Sequence, residues 1–100
     1  MDSYNFRNLT SIIGEKITVT DKQGNQVQLT LSSVTKNKID GEQWEAFTAS
    51  YIGSDGFHIP QGTYSFKHEL FGEKQLFLVP NSQTSYETVV TRERANLAEA

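Results

Sequence analysis

Short segments in which apolar and polar residues alternate, each bounded by turn-forming residues, run through most of this chain. The clearest is residues 62–70, where the odd-numbered positions are polar or charged and the even-numbered positions carry Tyr64, Phe66, His68 and Leu70. A period of two places successive side chains on opposite faces of a β-strand. This segment therefore predicts a half-buried strand, with Phe66 as a candidate core residue.

Five other segments have the pattern and length of strands, at residues 15–20, 27–32, 43–52, 76–79 and 86–92. The first two are joined by residues 21–25, in which Gly24 suits a hairpin turn. The uninterrupted apolar run at 76–79 predicts a strand buried on both faces, with Phe77 in the core. Polar residues at 36–41 predict a connection, and residues 71–74 predict a compact turn.

Composition supports a β protein with a small helical start. Thr, Val, Ile and the aromatic residues number 33, whereas three of the five Ala residues fall in the last six positions. An apolar stripe through Phe6, Leu9, Ile12 and Ile13 predicts one or two helical turns, which Gly14 can end. We predict an all-β fold, a small antiparallel β-sandwich or partly open barrel of about six strands, with a short N-terminal helical turn.

A chain of 100 residues is enough for one domain. We predict a single β domain over residues 1–92 and a flexible or weakly helical tail over residues 93–100, where the composition shifts to Ala and Glu. The formal net charge of −3 disfavours nucleic acid or an anionic membrane as a partner. A start without a basic and apolar leader, and no apolar stretch of about 18 residues, predict a cytoplasmic protein without a membrane span.

No sequence pattern in the chain points to catalysis. Cysteine is missing, which excludes disulfides and thiolate chemistry, and no nucleophile elbow, P-loop or HExxH sequence is present. His58 lies near Asp55, yet two isolated histidines form no metal-ligand pattern. We therefore predict no enzymatic activity, no catalytic residue, no metal and no cofactor.

The segment from Ile59 to Tyr64 is the most specific candidate for a site. Pro60 fixes its own φ and favours extended geometry before it, while Gly62 permits a close approach. These features fit a shaped entry into a strand, and they also fit a pocket or interface with Gln61 and Tyr64 offering hydrogen bonds. His68 lies on the same strand face as Tyr64, and it is either a structural histidine or a catalytic or ligand-binding one.

The same half of the chain resembles a known family. The residues that carry the resemblance are Pro60-Gln61-Gly62-Thr63-Tyr64, His68, Leu70, Gly72, Leu76-Phe77-Leu78-Val79-Pro80, Tyr86-Glu87 and Val90-Thr91-Arg92, with Leu9, Gly14, Ile17 and Val19 matching the opening part. The sequence is similar to a family of small, uncharacterised bacterial domains encoded near phage-tail-like genes. The resemblance implies a compact β fold and a bacterial or phage source, and it assigns no catalytic residue.

Two functions remain open at this point, and an enzyme, for which His68 is the only plausible general base, ranks third behind them. The first is a nonenzymatic structural or protein-interaction module in a homo-oligomer or a larger assembly. Its partner would be a second copy of the chain, or another protein of a phage-tail-like or other bacterial assembly. The alternative is a small-ligand-binding barrel with a pocket near Gln61, Tyr64 and His68. A cavity at the mouth of the barrel, rather than a filled interior, would favour the alternative.

Overall fold

Six antiparallel strands close into a barrel in the computed structural model, which describes residues 3–93. The elements in chain order are α1 (Phe6–Thr10), β1 (Lys16–Thr20), β2 (Gln26–Lys36), β3 (Trp44–Ile52), β4 (Gly62–His68), β5 (Gly72–Pro80) and β6 (Ser85–Glu93). Around the barrel the order is β1-β2-β3-β6-β5-β4, with β4 pairing back onto β1. The all-β prediction of six strands is confirmed, and the open choice between sandwich and barrel is decided for a barrel.

The β1–β2 hairpin forms as the sequence predicts, because its turn is held by a side chain. The carboxylate of Asp21 accepts hydrogen bonds from the backbone N–H groups of Gln23 and Asn25, each at 2.9 Å. Gly24 adopts a φ of +91°, which a residue with a side chain rarely takes. The resulting register sets Ile17 opposite Leu29, and both side chains are buried in the barrel.

Several predicted strand boundaries are wrong. β2 continues through Lys36, because an irregularity in its pairing with β3 between Leu31 and Ser33 lets the strand bend and go on. β5 begins at Gly72 rather than after residue 74, since the φ of +76° at Gly72 turns the chain in fewer residues than predicted. β6 extends one residue beyond the predicted end, to Glu93, which pairs with Trp44. Residues 94–100 of the predicted tail lie outside the described residues.

The prediction that Phe77 belongs to the core is also wrong. Its side chain is 52% exposed, whereas its neighbour Leu78 is fully buried. β5 forms part of a barrel wall with one face in the interior, so alternate residues point outward even within an apolar run. Phe66 on β4 is fully buried, as its alternation predicts.

Aromatic and aliphatic side chains fill the barrel and close both of its ends. At one end Tyr4, Leu9 and Ile12, from the segment around α1, are buried against the strands. Asn5 caps α1 by accepting a hydrogen bond from the N–H of Asn8, and Gly14 ends the segment with a φ of +97°. At the other end the β3–β4 loop buries Ile59.

The boundary between β5 and β6, here called the seam, has the shortest ladder in the barrel. It has two register pairs, Val79 with Glu87 and Pro80 with Tyr86, whereas β3 and β6 share nine. Away from these pairs the segment before α1 bridges the two strands. Ser3 Oγ donates to the carbonyl of Phe71, just before β5, and Arg92 Nη2 on β6 donates to the carbonyl of Tyr4.

Candidate functional site

The three residues singled out from the sequence lie along the β4 side of the barrel without forming one pocket. Gln61 is exposed just before β4. Tyr64 and His68 share a strand face but are four residues apart, which corresponds to about 13 Å along an extended strand. The structure therefore places Tyr64 and His68 in two separate environments.

Tyr64 borders a shallow open groove between the β1–β2 turn and the start of β4. The groove has a volume of about 390 Å³ and is lined by Asp21, Lys22, Gln23, Gly62, Thr63 and Tyr64. The Tyr64 hydroxyl donates to the carbonyl of Pro60 at 2.7 Å. Partial burial, together with the negative charge of Asp21, raises the pKa of Tyr64. Neither Gln61 nor His68 is among the lining residues.

His68 uses both ring nitrogens within the barrel wall. Its Nδ1 accepts a hydrogen bond from the N–H of Leu70 at 2.9 Å, and its Nε2 lies 2.8 Å from Glu15 Oε1. The ring stacks on Phe71 with 5.8 Å between ring centroids. These contacts tie the β4–β5 turn to the residue before β1.

His58 is held at the opposite end of the barrel. Its Nδ1 lies 3.2 Å from the carbonyl of Gln83 and 3.5 Å from the hydroxyl of Tyr86. That hydroxyl in turn accepts the N–H of Ile59 at 3.1 Å. The arrangement fastens the β3–β4 loop to the β5–β6 turn, and Asp55, which the sequence placed near His58, is absent from the contacts of this cluster.

A network of buried hydroxyl groups joins the N-terminal segment to the barrel interior. The hydroxyl of Tyr4 lies 2.6 Å from Thr88 Oγ1 on β6 and makes a second contact of the same length with the hydroxyl of Tyr51. Burial, followed by the proximity of Tyr4, raises the pKa of Tyr51 well above its usual value. Nearby, Arg92 Nη2 lies 2.8 Å from Glu45 Oε1. These groups bond to one another and hold Tyr4 in place.

The comparison with protein-family models matches residues 4–90 to a domain of unknown function, DUF6916. The chain belongs to this family. The match confirms the resemblance to a family without an assigned activity. In the DUF6916 chain, the matched range runs from the buried Tyr4 to Val90 on β6, so it takes in α1, five whole strands and most of β6.

No curated protein and no solved structure matches this DUF6916 chain. In the part of the chain from Ser3 to Glu93, no helix has the length and apolarity needed to cross a membrane. The same residues hold no group of three histidine, aspartate or glutamate side chains placed to bind a metal ion.

The surface that sequence reasoning missed is the outer face of β3, β6 and β5, here called the seam face. Of the seven large apolar side chains exposed in residues 3–93, four lie on it: Trp44, Ile52, Phe77 and Val89. Val89 could have been found from the alternation in β6, which turns Tyr86 and Thr88 inward. The outward orientation of Phe77 could not have been found, because an uninterrupted apolar run has no alternation that distinguishes its two faces.

Proposed function

We propose that this DUF6916 chain is a nonenzymatic protein-interaction module that contributes its seam face to a larger assembly, of the phage-tail-like or another bacterial kind. The observation that carries the proposal is the exposure of Phe77 and Val89, at 52% and 53%, on neighbouring strands. Large apolar side chains clustered on one surface are typical of protein contacts.

The side chains around Phe77 and Val89 suit a protein contact. The next outward residues on β5 and β6 are Gln75 and Val79 beside Phe77, and Glu87 and Thr91 beside Val89. An apolar centre with a mostly uncharged rim matches the anatomy of protein interfaces, where charged residues are depleted from the centre. Burying the exposed half of Phe77 alone would stabilise a complex by about 1 kcal/mol.

The contacts of His68, the candidate for a general base, support binding over catalysis. A general base needs a ring nitrogen that can reach a substrate proton. His68 directs Nε2 to Glu15 and Nδ1 to a backbone N–H, and His58 directs Nδ1 to a backbone carbonyl. Both ring nitrogens of His68, and Nδ1 of His58, are thus engaged in interactions that hold turns of the barrel.

The test is quantitative crosslinking of the tagged chain in an extract of its source cells, followed by mass spectrometry. We expect a crosslinked species that is lost in Phe77→Ser and kept in Ile39→Ser, since Ile39 is equally exposed but lies in the β2–β3 loop. Crosslinks that are equally strong in both variants, or none in the wild type, would contradict the proposal.

Small-ligand binding at the groove beside Tyr64 is the second candidate. The observation in its favour is the groove itself, which combines an aromatic ring with the amide of Gln23 and the ammonium group of Lys22. A library screen by amide chemical shifts should then give perturbations confined to β1–β2 turn and early β4 residues. Those shifts should vanish in Tyr64→Ala, and a screen without such a hit rejects this candidate.

A further inference from the structure

The turn between β4 and β5 holds the N-terminal segment, residues 3–15, against the barrel, and the side chain of His68 holds this turn. We propose that His68 is a pH-operated switch, in which protonation of Nδ1 releases the N–H of Leu70 and loosens the turn on which the N-terminal segment is anchored. The switch is independent of the seam face and of any partner that binds there.

Both ends of the N-terminal segment are fastened at the β4–β5 turn. At its start, Ser3 Oγ donates to the carbonyl of Phe71 at 3.0 Å. At its end, Glu15 Oε1 lies 2.8 Å from His68 Nε2. Next to Ser3, the rings of Tyr4 and Phe71 pack edge to face with 5.1 Å between their centroids. A change in the turn therefore reaches a segment that closes one end of the barrel.

The two ring nitrogens of His68 respond differently to protonation. In the neutral ring Nδ1 is an acceptor, because the backbone nitrogen of Leu70 lies 2.9 Å from it and donates its proton. Both nitrogens of an imidazolium are donors. Protonation therefore keeps the bond from Nε2 to Glu15 and adds a charge to it, whereas at Nδ1 it sets two N–H groups against each other. Because Glu15 and the stacked ring of Phe71 hold the imidazole, the exposed Leu70 is the group that moves.

Two charged groups from neighbouring elements lie on the side of His68. Glu15, ahead of β1, is in contact with its ring. Lys74 on β5 shares its strand face, because His68 pairs with Gly72, two residues before Lys74. The other charged residues of β1, β4, β5 and the turn are exposed on the outer wall or at the turn itself: Lys16, Lys67, Glu69 and Glu73. Carboxylates and ammonium groups ordinarily keep their charge between about pH 5 and pH 8, whereas histidine side chains change theirs, so a change at this turn within that range belongs to His68.

The bonds that seat Tyr4 in the barrel depend on side chains of another kind. Its hydroxyl bonds to Tyr51 and Thr88, and its carbonyl accepts from Arg92. Tyrosine, threonine and arginine side chains ordinarily keep their protonation state between about pH 5 and pH 8. Acidification should therefore free the turn and the bond from Ser3, while Tyr4 stays in the core.

NMR spectra of the full chain test the switch directly. An N–H···N hydrogen bond carries a scalar coupling between its two nitrogen nuclei, so the Leu70 amide and His68 Nδ1 should be coupled at about pH 8 and uncoupled at about pH 5. Over the same range the amide signals of residues 69–71 should shift and the proton contacts between Ser3 and Phe71 should weaken, while the Thr88 amide stays in place. An unchanged coupling, or contacts of Ser3 with Phe71 that persist undiminished, overturns the proposal.

Two histidine variants separate the switch from general effects of acid. His68→Asn keeps an oxygen acceptor for the N–H two residues on and has no proton to gain, so its turn amides should not respond between about pH 8 and pH 5. His58→Asn is the matched control, because it removes the histidine at the opposite end of the barrel, and it should respond as the wild type does. A response that survives in His68→Asn, or is lost in His58→Asn, overturns the assignment to His68. The coupling is measured in the wild type, so a variant that fails to fold leaves that test intact.

Discussion

The hydroxyl of Tyr4 lies 2.6 Å from the hydroxyl of Tyr51, inside a barrel whose strands begin twelve residues after Tyr4. A second bond of the same length joins Tyr4 to Thr88 on β6. Both of these partners are buried, so each hydroxyl depends on the others for its hydrogen bonds. The segment before α1 is therefore part of the folded core.

Replacing Tyr4 with Phe removes this hydroxyl while keeping the ring that packs on Phe71. We expect the free energy of unfolding to fall by about 1 to 3 kcal/mol, because the buried partners lose a hydrogen bond that water cannot replace. Tyr64→Phe is the matched control, since its hydroxyl is near solvent, and urea unfolding measures both. Equal losses in the two variants would show that the buried hydroxyl network stabilises the fold no more than the hydrogen bond of Tyr64 near the surface.

Alkaline pH should destabilise the fold through Tyr51. Its pKa in the folded chain is raised well above 10.0 by burial, so the folded state retains a proton that the unfolded chain releases. The stabilising contribution is complete below about pH 10 and is lost as pH rises beyond the ordinary tyrosine pKa. Melting temperatures should fall as the pH rises above about 10, with a shallower slope for Tyr51→Phe. Parallel slopes would contradict the assignment.

Gly53→Ala should destabilise the end of the barrel closed by the β3–β4 loop. A Cβ atom at this position would lie 2.9 Å from Leu29 Cδ2 and 3.1 Å from the Phe57 ring. Relieving these contacts requires movement in the core, and we expect a loss of about 1 to 3 kcal/mol. Gly41→Ala, whose nearest neighbour is 4.0 Å away, should melt close to the wild type.

Phe66 and Phe77 should differ sharply when truncated. Phe66→Ala creates a cavity among fully buried side chains, and we expect a loss of about 3 to 5 kcal/mol in chemical denaturation. Phe77→Ala removes a half-exposed ring from the outer wall and should cost less than about 1 kcal/mol in the monomer. Similar losses would mean that Phe77 is packed in a way its 52% exposure does not indicate.

The two histidines should occupy opposite neutral tautomers. Nδ1 of His68 accepts from the Leu70 N–H, which places the ring proton on Nε2, facing Glu15. Nδ1 of His58 faces the carbonyl of Gln83, which requires a proton there. Long-range proton–nitrogen NMR correlations at alkaline pH distinguish the two forms in one spectrum. Identical patterns for both rings would contradict these hydrogen bonds.

Alternation of side chains predicted the barrel wall well. In β4 the burial of Phe66 follows directly from its parity, and the β1–β2 hairpin follows from a turn with Gly24. The prediction of strand faces and strand ends fails where the local sequence pattern does not determine them. The apolar run around Phe77 has no alternation that would show which of its side chains face the interior. The continuation of β2 to Lys36 depends on a pairing irregularity set by β3 rather than by β2 itself.

The candidate site was less accessible to sequence reasoning, because it depends on contacts across long stretches of chain. Tyr64 meets Asp21 over a groove only after β4 pairs with β1. His68 finds Glu15, which is 53 residues away, through the same pairing. The seam face requires the register of three strands, which no single segment specifies.

The bond between Tyr4 and Thr88 also bears on the order of folding. It joins positions 84 residues apart, and Arg92 reaches Tyr4 across 88. Contacts this distant in sequence slow folding, because a long loop must close before they contribute. During synthesis the contacts of Tyr4 with β6 can therefore form only after that strand has left the ribosome, whereas the contacts of α1 with β2 can form earlier.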